Sequence, residues 1–350
     1  MNYKNILLLY LLAFFSCKKN DVIDDLAPGT ITGKTFNSTV LIDGQKYDGT
    51  VISNCIFENI DGDGLQIRNV KDLCIEDCIF RNISENAIRF RNSGTSNGVK
   101  ILNNQMYNIE KNGILAPENH INTLIKGNNI YNVATNNASS GLGAPHHGIY
   151  FQGFNVEITE NVIHDVLNNQ GNCISIRTFG SISKNTLYNA TDHGISYYSD
   201  HPAKNLALLI ENNFIYDNGK RAINFASNGN SSNHIGNAQV RFNTLLSNDQ
   251  SVIAMNDELT NVNFDFYGNI LIRTDAGTNF IYTSLTYNQS TNIFDDGDIG
   301  FVHFTNRDLH ISDASSAKNA ASGLSNFPST DIDNEQRTAL NLDIGADEID

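Results

Sequence analysis

Four dipeptides occupy matching places in a recurring phrase, each just ahead of a small residue and a short apolar strand: His146-His147, Gly171-Asn172, Asp192-His193 and Lys220-Arg221. On the strands that follow, period-2 alternation turns Tyr150, Gln152, Arg177 and Tyr198 outward. Imidazole, phenol, amide and guanidinium in one strip suit proton transfer beside a carboxylate. A base takes the proton from the neighbouring carbon, an acid protonates the leaving oxygen, and cations or amides hold the carboxylate as charge builds on it. In that chemistry His147, or His193 oriented by Asp192, is expected as the base and Tyr150 or Tyr198 as the acid. Arg177, Asn172 and Arg221 are expected to hold the carboxylate, with His146 and Lys220 as further substrate contacts. A plainer reading stays open beside it: two imidazoles in turns that only satisfy backbone groups, a solvated basic face, and tyrosines in ordinary outward stacking.

Insertions at residues 132–145, 199–206 and 227–239 flank the same strands and are expected to wall a groove, and His120, His201 and His234 lie on or beside them. Arg68, Arg89 and Arg91 extend the basic strip toward the N-terminus. No metal is expected. Calcium-ligand spacing of Asp and Glu is missing from the strip, and His147 and His193, two repeats apart at roughly 10 Å, are too distant to share one zinc ion.

The elements that position these residues come from the repeat. Cys55, Cys78, Asn104, Asn128, Asn161, Asn185, Asn213, Asn243 and Asn269 form one column at spacings of about 23 to 33 residues, with an apolar residue three positions ahead of each. A second apolar column contains Phe80, Met106, Ile130, Ile163, Leu187, Ile215 and Leu245, and a third strand begins at segments such as Gly148-Ile149-Tyr150-Phe151. Short alternating strands repeating at this period mean stacked coils, three strands each, about nine in number over residues 36–300. At about 4.8 Å per coil the rod is on the order of 45 Å long. An Asn in the same corner of every coil can donate and accept along the axis as a ladder.

The repeat resembles the right-handed parallel β-helix proteins of the pectate-lyase-like group, over most of the mature chain, and that resemblance implies an all-β solenoid that handles polysaccharides. Within it, residues 169–176 and the His193-Gly194-Ile195-Ser196 segment look like a polygalacturonase motif, but the two acidic residues of that motif are Gly171 and Asn172 here. Without paired carboxylates, that family's hydrolysis lacks its acid and base. The expectation is therefore a protein acting on an acidic, uronate-containing polysaccharide as a β-eliminating lyase or C5-epimerase. A glycoside hydrolase of another pattern and a noncatalytic glycan-binding protein are the alternatives.

The remaining sequence places the protein. Of its 350 residues 40% are hydrophobic and 17% charged, enough for a large core, and the formal charge of −15 opposes binding to nucleic acid. Lys4, the apolar run 6–15 and Ser16-Cys17 resemble a bacterial lipoprotein signal over residues 1–17, which implies lipid attachment at Cys17. Residues 18–35, with Asp21, Asp24 and Asp25, are read as an acidic tether. A monomer anchored at the outer membrane or cell surface by lipid alone is expected. Cys55 and Cys78 stack in parallel with poor disulfide torsion and are expected as thiols. Residues 301–350, ending in Asp343-Ile344-Gly345-Ala346-Asp347-Glu348, resemble a capping segment of Bacteroidota β-helix proteins and are expected to close the last coil.

Overall fold

The structure, a computed structural model, describes residues 22–24, 26–136, 145–202, 206–248, 251–274 and 279–349; Cys17 and the signal segment lie outside them. Three parallel sheets of 11 strands each run the length of the molecule, and every strand pairs with its counterparts in the coils before and after it. The nine coils expected from the repeat are all present, and a shorter coil adds to each end. The first of these uses Val22–Ile23, Thr30–Thr32 and Thr35–Phe36, so the segment read as tether through residue 35 already belongs to the solenoid from Val22. We number the coils 1 to 11. Sheet 1 contains, in coils 5 to 8, Ile114–Ala116, Ile149–Phe151, Ile174–Ile176 and Ile195–Ser199. Sheet 2 contains the strands after it in each coil, such as Phe154–Thr159, and sheet 3 those that complete the coil, such as Val162–Val166.

Alternation explains the core. Inward residues of each strand stack on the same positions one coil away: Ile88, Ile114, Ile149, Ile174, Ile195 and Ile223 on sheet 1 are all fully buried. Between sheets 2 and 3 the chain turns within two residues, the first with positive φ; Asn54, Asp77, Asn103, Gly127 and Asn212 occupy that place, with Glu160, Lys184 and Phe242 in three other coils. Asn, Asp and Gly tolerate this conformation best. The second turn residue is the ladder rung. The backbone N–H of Asn161 donates to Oδ1 of Asn185 at 2.9 Å, the N–H of Asn185 to Asn213 at 2.9 Å, and the series runs from Cys78 to Asn292. Each amide Nδ2 also donates back to a carbonyl such as that of Ile158, so buried polar groups are satisfied in both directions along the axis. On the outside of sheet 3, Tyr107, Tyr131, His164, Tyr188 and Tyr216 form one stack with ring spacings of 4.6 to 5.3 Å.

The C-terminal segment does not close the last coil. It lies along the side of the rod, over the outer face of sheet 3. The cause is legible in the outward positions there: Phe214, Leu246, Ile270 and Ile272 are apolar, and they form a second core with Phe301, Leu309, Ile311, Leu342 and Ile344. Arg307 pairs with Asp217 at 2.7 Å, and the Gly345 N–H donates to the Gly268 carbonyl at 2.8 Å. Arg337, only 6% exposed, lies over the Phe242 ring and pairs with Glu348 at 2.8 Å. Gly268 has φ +67, and a Cβ there would meet the Phe242 ring at 2.9 Å, so a side chain at this turn would displace that ring.

Candidate active site

The four dipeptides do come into register, and their second residues turn out to belong to a second ladder, along the edge where sheet 1 begins. The backbone N–H of His147 donates to Asn112 Oδ1 at 2.8 Å, that of Asn172 to Nδ1 of His147 at 3.1 Å, and that of His193 to Asn172 Oδ1 at 3.0 Å. The Arg221 N–H donates to Nδ1 of His193 at 3.2 Å, and the same line begins with Asp63, Asn86 and Asn112. His147, Asn172 and His193 are 1%, 5% and 5% exposed.

This geometry settles the imidazole tautomers. A backbone N–H only donates, so Nδ1 of each histidine is bare and the proton sits on Nε2. Burial holds both rings neutral: it pushes His147 down to about 3, helped by nearby Arg177, and His193 down to about 4 against the pull of Asp192. The lone pair a base needs is therefore already engaged, and the role of general base expected for these histidines does not fit. Asn172 is likewise committed: its Oδ1 accepts from His193 and its Nδ2 lies 3.2 Å from His147 Nδ1, which removes it from the carboxylate holders.

The outward side chains remain available. Arg177 lies between two phenol rings, its guanidinium carbon 5.1 Å from the Tyr150 centroid and 4.6 Å from that of Tyr198. The Tyr150 Oη accepts from Gln152 Nε2 at 2.5 Å, and the ring meets His147 edge-on at 5.3 Å. Nε of Arg177 and Nε2 of His147 are both buried without a hydrogen-bond partner. Two small residues, Ser175 and Ser196, follow Tyr150 in the same row of the sheet, and Ser175 is buried. Sequence reasoning passed over them, although a run of small residues in register with Tyr150 was the available signal.

Other expected contacts are tied to one another. Asp192 pairs with Lys220 at 2.5 Å and stands 3.5 Å from His193 Nε2, and Arg221 Nε donates to Ser251 Oγ at 3.0 Å. His146 is half-buried, with burial and then Lys111 lowering its basicity. His120 is a buried structural residue between the Ser96 N–H and the Arg91 carbonyl, and His201 pairs with Glu118 at 3.0 Å. Arg68 pairs with Asp43 at 2.5 Å and Arg89 with Asp63 at 3.5 Å, while Arg91 donates to the uncharged Gln66 Oε1 at 2.7 Å, so two of the three N-terminal arginines have a carboxylate partner. Among the described residues, the side chains whose metal-ligating atoms cluster are His310, Asp333 and Asp347, away from this strip.

Residues 38–205 match the family model described as a right handed beta helix region. The chain is a right-handed parallel β-helix. No curated protein matches it. Similar solved structures include the A-module of mannuronan C-5 epimerase AlgE4 from Azotobacter vinelandii, 13% identical over 78% of this chain and 76% of that chain, TM-score 0.48. Pectate lyase Pel9A is 13% identical over 94% and 88%, TM-score 0.45, and the periplasmic alginate epimerase AlgG is 11% identical over 77% and 79%, TM-score 0.41. At such identities the likeness is one of fold.

Proposed function

We propose that this β-helix acts on an anionic, uronate-containing polysaccharide, gripping a sugar carboxylate between His147 and Arg177 and moving the proton beside it in β-elimination or C5-epimerisation. The observation that carries this reading is the pair of buried donors without acceptors, Nε2 of His147 and Nε of Arg177. Buried N–H groups without an acceptor match the oxygens of a carboxylate. In a chain of formal charge −15 an anion is drawn to such a site by its local groups, not by the overall field.

With the imidazole lone pairs taken by the ladder, proton transfer falls to the phenols. Tyr150 and Tyr198 stand on either side of Arg177. In β-elimination one phenolate removes the C5 proton, the electron pair forms the C4–C5 double bond as the C4–O bond breaks, and the other phenol protonates the leaving oxygen. In epimerisation the second phenol instead returns a proton to C5 from the opposite face. The neutral imidazole and Arg177 stabilise the charge that builds on the carboxylate in either case. A hydrolase would need a pair of free carboxylates, and Asp192, the carboxylate beside His193, is held by Lys220.

The test is incubation with a panel of uronate polymers, following polymer length, ultraviolet absorbance of unsaturated ends and C5 configuration by NMR. Unsaturated ends mark a lyase and inverted sugars in intact polymer an epimerase. Intact, uninverted polymer that still binds would make this a glycan-binding protein, and new reducing ends without unsaturation a hydrolase. Attachment through Cys17 is part of the same proposal: partitioning into detergent should vanish in Cys17→Ala.

A further inference from the structure

The C-terminal side cover has a charge imbalance that the solenoid does not explain. Asp331, Asp343, Asp347 and Glu348 are 0% to 5% exposed, and the one buried guanidinium among them, Arg337, pairs with Glu348. Asp331 is occupied by the N–H groups of Asp333, Glu335 and Glu348, and Asp343 by those of Asn319 and Ile349. Asp347 has less. Its Oδ2 accepts one N–H, from Ile311 at 2.7 Å, and among the described residues its Oδ1 accepts none. Buried carboxylates are stable when paired or when they bind a cation.

The open side of Asp347 faces His310 and Asp333, and one ligating atom from each of the three lies within 4.8 Å of the others. Asp308 holds Nδ1 of His310 at 2.5 Å, the carboxylate behind the ring that orients metal-binding histidines, which leaves Nε2 toward Asp333 Oδ2 at 2.9 Å. We propose that His310 Nε2, Asp333 and Asp347 form a site for a divalent transition-metal ion of the zinc type. One imidazole and two carboxylates select such an ion over calcium or magnesium, which prefer oxygen alone. Tetrahedral ligands around zinc stand about 3.4 Å apart, so atoms within 4.8 Å of one another are near the spacing such an ion needs. The ion would join the strand Asp308–Ile311 to the segment holding Asp333 and to the buried tail at Asp347, cross-linking the side cover in three places.

The experiment uses the full chain, stripped with chelator and dialysed, then titrated with zinc by calorimetry and followed by thermal unfolding. The expected result is one zinc per chain and a melting temperature that rises with zinc concentration. Asp333→Asn, at an exposed position, and His310→Ala should each weaken zinc binding by at least about 10-fold, while Asp333→Asn keeps the metal-free melting temperature. Cobalt in place of zinc should give a visible absorption band that the same variants lose. A wild type that binds no zinc and melts at one temperature regardless of metal overturns the proposal, and so does binding that survives unchanged in both variants.

Discussion

The backbone N–H of Arg221 donates to Nδ1 of His193, 3.2 Å away on the preceding coil. A catalytic-looking histidine is thereby a rung that asparagine fills in neighbouring coils, since Asn86, Asn112 and Asn172 accept the same kind of bond with Oδ1. His193→Asn should then keep the stability of the fold, whereas His193→Leu leaves the Arg221 N–H unpaired and should cost about 1–3 kcal/mol. Chemical denaturation of the two variants side by side checks this.

The neutral rungs also make a pH prediction. His147 and His193 titrate in the folded chain at about 3 and about 4, below the ordinary value of about 6.5. The unfolded chain therefore takes up protons first, and the stability these groups contribute is complete above about 6.5 and is lost as the pH falls toward 4 and 3. Burial pushes Asp347 and Glu348 up to about 7, with the opposite sign, because their protons favour the folded state as pH falls below 7. The difference between wild type and a His147→Asn/His193→Asn variant isolates the histidines. That difference should shift against the wild type by about 1–2 kcal/mol per histidine between pH 7 and pH 5.

In the first ladder, Asn185 donates to the carbonyls of Ile158 and Ser183 and to Asn213, and accepts from Asn161. Asn185→Leu breaks all of these at once. A loss of several kcal/mol, at about 1–3 per unpaired buried group, should appear as a lower thermal midpoint with sheet content retained in circular dichroism.

At the proposed site the two kinds of residue separate kinetically. Arg177→Ala should weaken binding of whichever polyuronate is turned over and lower turnover as well, because the carboxylate is held in both ground and transition states. Tyr150→Phe and Tyr198→Phe remove only the proton-transfer group, so they should lower kcat by about 10² or more with little change in binding. Near wild-type rates in both phenylalanine variants would remove the phenols from the mechanism.

Arg337 is buried against Glu348, Asn212 and the Gly345 carbonyl. Arg337→Met leaves the Glu348 carboxylate without its partner in the interior and should cost about 3–5 kcal/mol, read from denaturant midpoints.

The fold was legible because a solenoid writes its geometry once per coil. The column Asn104 to Asn269 and the inward isoleucines recur in register, and nothing nonlocal is needed to read them. The end coils escaped because Val22–Ile23 and Asn288–Ser290 carry too few of the column residues to declare themselves. The side cover escaped because the sign that sheet 3 is covered lies in outward positions, Leu246 and Ile272, which a search for inward periodicity passes over. At the site, sequence placed His147, Asn172, Arg177 and His193 on one edge. It left their roles open because a ladder rung and a base are the same residue until the direction of one backbone N–H is known.

The side cover bears on how the rod is assembled. A coil pairs with the chain made shortly before it, as Asn161 does with Asn185 at a separation of 24 residues, so coils can accrete in order as the polypeptide emerges. Coils 7 to 10 cannot finish that way: Asp217 waits for Arg307, 90 residues later, and Lys184 for Asn334, 150 residues later. Until the last segment arrives, Phe214, Leu246, Ile270 and Ile272 face water as a sticky sheet surface, and the newly made chain passes through a stage at which it needs chaperone protection.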